Sequence, residues 1–184
     1  MTSILFDTMK NPFQDLVFYF LIYSFIGWVI EGTYSASKGR RFLKDNFLVG
    51  PFKPMYAFAP IIILSLVTKS SNVFYIILIS LIVPTLVEFI SGVLLKCLFG
   101  RVWWDYSTLK YNIKGHVCLQ FSVYWIGLCF LLIYIVHPFI YSVYQSVYFI
   151  WDKIYLFAFL YIAIDFTYTV IKRRTIFSRG LIKE

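Results

Sequence analysis

The stretch Val73–Leu95, VFYIILISLIVPTLVEFISGVLL, decides the fold class, and Glu88 is its only charged residue. A helix needs roughly 20 apolar residues to cross the ~30 Å hydrocarbon core of a bilayer, so this segment reads as a membrane-spanning helix. The rest of the chain has the same character. Of its 184 residues, 60% are hydrophobic, 22% aromatic and 14% charged, and the mean hydropathy is +0.77. Soluble domains carry about a quarter charged residues, and disordered chains are poor in aromatics, so both classes are excluded. About 110 apolar side chains suffice for about five spans, with no room for a sizeable soluble domain.

Working outward from that stretch, the apolar runs predict an all-α membrane protein, one polytopic domain over 1–184. Its spans are expected at about 16–34, 55–67, 73–95, 118–136 and 154–171. The second covers only about 20 Å at 1.5 Å per residue, so a re-entrant hairpin competes with a full crossing. Pro51, Pro54 and Pro60 predict an irregular entry to it, tolerated at membrane depth only where protein or a water cavity covers it. Two further segments, 97–117 and 138–150, are expected as interfacial helices. The second, PFIYSVYQSVYFI, is too short and tyrosine-rich to span easily, and a lead-in to the last span is its alternative reading.

The net charge of +8 is read as lipid-facing rather than as a nucleic-acid footprint. Lys38, Arg40, Arg41, Lys44, Lys53, Lys96, Arg101, Lys110, Lys114, Lys172, Arg173, Arg174, Arg179 and Lys183 fall on one side of the five-span scheme. Only Lys10, Lys69 and Lys153 fall on the other. The positive-inside rule then puts the N-terminus outside and the C-terminus in the cytoplasm, and this parity favours a crossing by span 2. Met1–Asp15 holds one lysine and two aspartates, so no signal peptide is expected and the first span is the membrane address. Cys97, Cys118 and Cys129 show neither disulfide nor zinc spacing. His116 and His137 fall near opposite faces, so no metal site, no cofactor and no catalytic residue is assigned.

Three carboxylates lie within spans: Glu31, Glu88 and Asp165. A charge at membrane depth costs about 2.5–3.5 kcal/mol on insertion scales, so each needs a partner or a role. Each sits one to two turns from the cytoplasmic end of its span. Each also lies in a polar or small-residue stripe: Ser24, Gly27, Glu31, Ser35; then Ser80, Pro84, Glu88, Gly92; then Ala158, Tyr161, Asp165, Thr169. Such stripes mark helix–helix contacts in lipid. The reading is that the three acids converge in one cytoplasm-facing layer, with Arg40, Arg41 and Arg101 as counter-charges. The layer is either a substrate, ion or proton site or a structural brace for the basic loops. In the loop after span 3, Trp103, Trp104 and Tyr106 suit an interface, and Asp105 and Ser107 suit a cap.

The sequence resembles a known family over about 17–170. The resemblance rests on Gly27-Trp28 with Glu31 and Tyr34, on Phe47-Leu48-x-Gly50-Pro51, and on Pro54-Met55-Tyr56. It continues through Glu88-Phe89, Leu98-Phe99-Gly100 and the block Trp103-Trp104-Asp105-Tyr106-Ser107. Asn112, Gly115, Cys118-Leu119, Trp125, His137-Pro138 and Asp165 follow. These match the putative ABC-transporter type IV family of small bacterial multi-span permease-type proteins. Departures are Ala57 and Ala59 for a glycine pair, Lys44-Asp45-Asn46 for Asn-Arg-Gly, His116 for the commoner Arg, and Lys96 for a frequent acid.

The resemblance implies a transporter component in the bacterial cell membrane, moving an unknown solute or lipid-like substrate. Its site candidates are Glu31, Glu88, Asp165, Arg40, Arg41, Arg101, Trp103, Asp105, Tyr106 and Asn112. The chain lacks G-x-x-x-x-G-K-[ST], so ATP-driven action calls for a separate ATPase. Five spans are few for a pore, which calls for a homodimer or a partner permease. Two other readings stand beside it: a non-transporting scaffold or regulatory subunit, and an intramembrane enzyme acting on a lipid or cell-envelope precursor.

Overall fold

The computed structural model describes residues 3–5, 7, 9–42 and 46–180. Lys44, Asp45 and Lys183 of the charge and motif readings lie outside these. The elements are α1 (Pro12–Ser37), α2 (Met55–Leu66), α3 (Val73–Phe99), β1 (Asn112–Ile113), β2 (Val117–Cys118), α4 (Leu119–Leu131) and α5 (His137–Ser178). A π-helical segment, Leu132–Val136, joins α4 to α5. Pro12–Ser37, Val73–Phe99 and the helical run Leu119–Ser178 are each long and apolar enough to cross a membrane, and α2 is shorter.

Local chemistry sets these limits. Pro12 opens α1 with its fixed φ, and the Asp15 carboxylate accepts from the amides of Lys10 at 2.7 Å and Asn11 at 3.3 Å. Asn72 caps α3 by accepting from the Tyr75 amide at 2.7 Å. Gly100 ends it in the left-handed region at φ 64°. A Cβ there would also lie 2.2 Å from the Phe177 ring, so glycine is required twice over.

One expectation fails, and the choice left open for 138–150 falls to the lead-in reading. Residues 97–117 do not form an interfacial helix: α3 runs to Phe99, and a turn-rich loop with the two-residue hairpin β1–β2 follows. Tyr111, Lys114 and Gly115 all adopt positive φ there, which no helix permits. Nor is 138–150 a separate interfacial helix. It is the first part of α5, because Pro138 falls in the first turn of that helix, where no amide is needed. The carbonyl four residues back, Tyr134, loses its usual donor, and the wider π turns absorb the mismatch.

α5 cannot be straight. Its 42 residues would then measure about 63 Å. Yet Nδ1 of His137 lies 2.7 Å from the Tyr23 hydroxyl, midway along α1, and the Tyr144 hydroxyl reaches Asp15 near its start. Trp151 donates to the Gln14 carbonyl, and Phe13 packs edge-on against Tyr155 and Phe159. Farther on, Asp165 meets the 46–53 segment, which is itself tied to Ser24. α5 therefore bends near the start of α1, and its later part turns back to the 46–53 segment.

Tyr19, Tyr144, Ile63, Leu64 and Ile76 anchor the core. Gly27 lets α2 approach α1: a Cβ there would lie 2.2 Å from that of Tyr56. Outside, Phe74, Phe149 and Phe157 are each more than 70% exposed. So many bare aromatics suit hydrocarbon, not water.

Candidate functional site

Glu31 makes an ion pair with Lys53. Both are partly exposed on the wall of a cavity of about 450 Å³. Lys53 sits on a non-helical strap, residues 46–53, whose end is fixed by its own amide donating to the Ser24 carbonyl at 3.0 Å. The strap folds on itself through Asn46, whose side-chain amide donates to the carbonyls of Gly50 and Phe52.

Glu88 is 3% exposed and fully engaged. The Tyr106 hydroxyl donates to Oε1 at 2.8 Å, and the Trp125 indole donates to Oε2 at 3.0 Å. The Glu31 and Glu88 carboxylates lie close enough to repel each other, and Tyr56 feels both. These two acids therefore share one neighbourhood.

Asp165 does not join them. It accepts from the strap amides of Val49 at 3.0 Å and Gly50 at 2.8 Å and from the Thr169 hydroxyl at 3.1 Å. One turn on, Arg173 donates to the carbonyls of Phe47 at 3.0 Å and Asn46 at 2.6 Å. The stripe Asp165, Thr169, Arg173 thus clamps the strap by its backbone. The three acids take separate partners rather than one cluster: Glu31 pairs with Lys53, Glu88 accepts from Tyr106 and Trp125, and Asp165 braces the strap.

The expected counter-charges also divide. Arg40 and Arg41 are exposed and make no ion pair among the described residues; only their backbones bond, to Ser35. The Arg101 guanidinium lies 5.4 Å from the Trp103 ring centre. Among the described residues, Lys53 pairs with Glu31.

The 100–118 loop is built from its own polar residues. Asp105 accepts from the Ser107 amide at 2.8 Å and its hydroxyl at 3.0 Å. These bonds, the amide's first, hold the Asp105 carboxyl below its ordinary range. Asn112 donates to Leu109 and Ser107 carbonyls and accepts from the Gly115 amide. Trp104 donates to the His116 carbonyl at 2.8 Å. Asp105 and Asn112 are thus spent on the turn, and Tyr106, stacked on Phe121 at 4.7 Å, is the residue it delivers. Burial, then the Glu88 charge, raises the Tyr106 phenol well above its ordinary value, so it acts as donor. The His116 ring fills the space over Gly92, and burial, then Lys96, lowers its basicity.

Sequence reasoning missed Lys53, Trp125, Arg173 and two buried polar groups along the first half of α1: Asp15, wholly buried near its start, and His137, 2% exposed against Tyr23. Only the i, i+4, i+8 spacing from Asp165 to Arg173 signalled any of these beforehand.

Neither a curated relative nor a solved structure matches the chain. A family model does match, over residues 18–170, which takes in Glu31, the strap, Glu88, the whole 100–118 loop and Asp165. The chain therefore belongs to the family described as Putative ABC-transporter type IV.

Proposed function

We propose that this protein is the membrane-embedded component of an ABC-type transporter and that its cargo is met at the Glu31–Lys53 pair. The observation that carries this reading is an ion pair on the wall of a largely apolar cavity, in a member of this family. An ion pair held at membrane depth rarely repays its desolvation as stability alone, which favours a use for it.

The strap supplies a mechanism. A polar group entering the cavity competes with Glu31 for Lys53. Lys53 lies on the strap, and Asp165 and Arg173 tie the strap to the last turns of α5. Displacing Lys53 therefore pulls on the end of α5. The charge asymmetry favours five crossings, with the N-terminus outside and this end of α5 in the cytoplasm of a bacterial cell. These 184 residues contain no P-loop, so ATP hydrolysis by such a loop is supplied from outside them, and a second copy or a partner permease completes the pathway.

The test is to isolate the tagged chain from its native membranes in mild detergent and reconstitute what co-purifies. An ATPase chain at stoichiometric yield is expected, with ATP turnover that falls in Glu31→Gln. A chain that purifies without any ATPase from native membranes refutes the reading.

A further inference from the structure

We propose that the cavity beside Glu31 and Lys53 binds one anionic amphiphile, its acyl chain against Phe58, Leu94, Leu98 and Phe166 and its acidic headgroup at Arg174 and Lys53. This deepens the transport reading and rests on it for the word cargo, though not for the binding itself.

The wall argues for the chain. Phe58, Leu94, Leu98 and Phe166 all line the cavity. They are 51%, 51%, 40% and 49% exposed, so the cavity opens sideways onto the surface that faces hydrocarbon. A water-soluble solute would set its polar groups against that wall without partners, which is costly. An acyl chain has none to lose. The volume of about 450 Å³ falls within the roughly 300–1,000 Å³ of ligand pockets.

The polar end argues for the sign. Lys53 is answered by Glu31. Arg174, also on the cavity wall, is exposed and makes no ion pair among the described residues. The three charges leave one positive charge over. Trp103 has a buried indole N–H with no acceptor among the described residues. Arg174 and Lys53 match a phosphate or carboxylate and oppose a cationic headgroup.

The shared chemistry is an acidic oxyanion, which a lipid or free phosphate could bring, and the experiment separates them. The full chain in detergent is offered equal amounts of dioleoylphosphatidylglycerol and dioleoylphosphatidylcholine, and bound lipid is counted by native mass spectrometry. One phosphatidylglycerol per chain is expected, favoured by about tenfold. Arg174→Gln should erase most of that preference, a loss of about fivefold to tenfold. Leu98→Trp, which fills the wall, should lower retention of both lipids. Lys110→Gln removes an equal charge from the exposed loop and should change nothing. Equal retention of the two lipids, or equal losses in Arg174→Gln and Lys110→Gln, overturns the proposal. So does complete displacement by millimolar inorganic phosphate, which would mean that the acyl chain adds nothing. No ATPase is present in this assay, so a failed ATPase co-purification leaves its result standing.

Discussion

Removing one hydroxyl, in Tyr106→Phe, tests how the 100–118 loop is held to the bundle. The ring stays, with its stacking on Phe121, and only the 2.8 Å hydrogen bond to Glu88 is lost. A hydrogen bond to a charged group nets about 1.5–3 kcal/mol, and a neutral one about 0.5–1.5 kcal/mol. Tyr106→Phe should therefore cost about 1.5–3 kcal/mol in the native background but about 0.5–1.5 kcal/mol in a Glu88→Gln background. The difference, about 1 kcal/mol, is the coupling that a double-mutant cycle reads. Because the loop opens without global unfolding, the loss should appear as faster hydrogen exchange in peptides covering 103–118, about tenfold for each 1.4 kcal/mol. The assay is hydrogen-exchange mass spectrometry in nanodiscs, with detergent-titration unfolding for the cycle. Unchanged exchange together with strictly additive variants would refute the claim that Tyr106 docks the loop on Glu88.

Other outcomes follow from the same geometry. Asp165→Asn keeps one acceptor oxygen but turns an NH2 against one of the two strap amides, Val49 or Gly50, and should cost about 2–3 kcal/mol, read as faster exchange across 46–53; protection there equal to wild type would contradict the clamp. Gly100→Ala forces a Cβ at φ 64° against Phe177 and should destabilise by at least about 1–2 kcal/mol, read by thermal unfolding in detergent. Burial depresses His116 below the ordinary histidine value of 6.5, so its contribution to the loop is complete above that pH and is lost as pH falls below it. Asp105 is depressed below 3.8, so its contribution is present above that value and disappears on further acidification. Exchange in 103–118, corrected for intrinsic rates, should therefore quicken from pH 7.5 to 5.5; constant protection would contradict it.

The helices were legible because apolar run length is a one-dimensional property. Val73–Leu95 announces its helix at once, and the capping glycine at 100 stands where the run stops. The carboxylate layer was legible only in part. Helical spacing says which face Glu88 and Asp165 occupy, and it does not say what lies opposite. Asp165 meets backbone amides of the strap, and amides carry no sequence signature. Lys53 looked like one loop cation among many, because its pairing with Glu31 depends on the strap turning back to Ser24. The 100–118 loop misled for a related reason. Its aromatic residues suit an interfacial helix, but Tyr111 and Lys114 adopt positive φ in a turn that Asn112 bonds together. The merger of 138–150 into α5 turned on Pro138 falling in a first turn, a position that a proline in sequence does not disclose.

The central claim is that Glu31 works while Asp165 holds. It is tested most directly by reconstituting the complex with its ATPase and comparing Glu31→Gln with Asp165→Asn, measuring ATP turnover and thermal unfolding on the same samples. Glu31→Gln should lower turnover at least about tenfold with Tm within about 2 °C of wild type, whereas Asp165→Asn should lower Tm and turnover together. Full turnover in a well-folded Glu31→Gln complex would contradict the account.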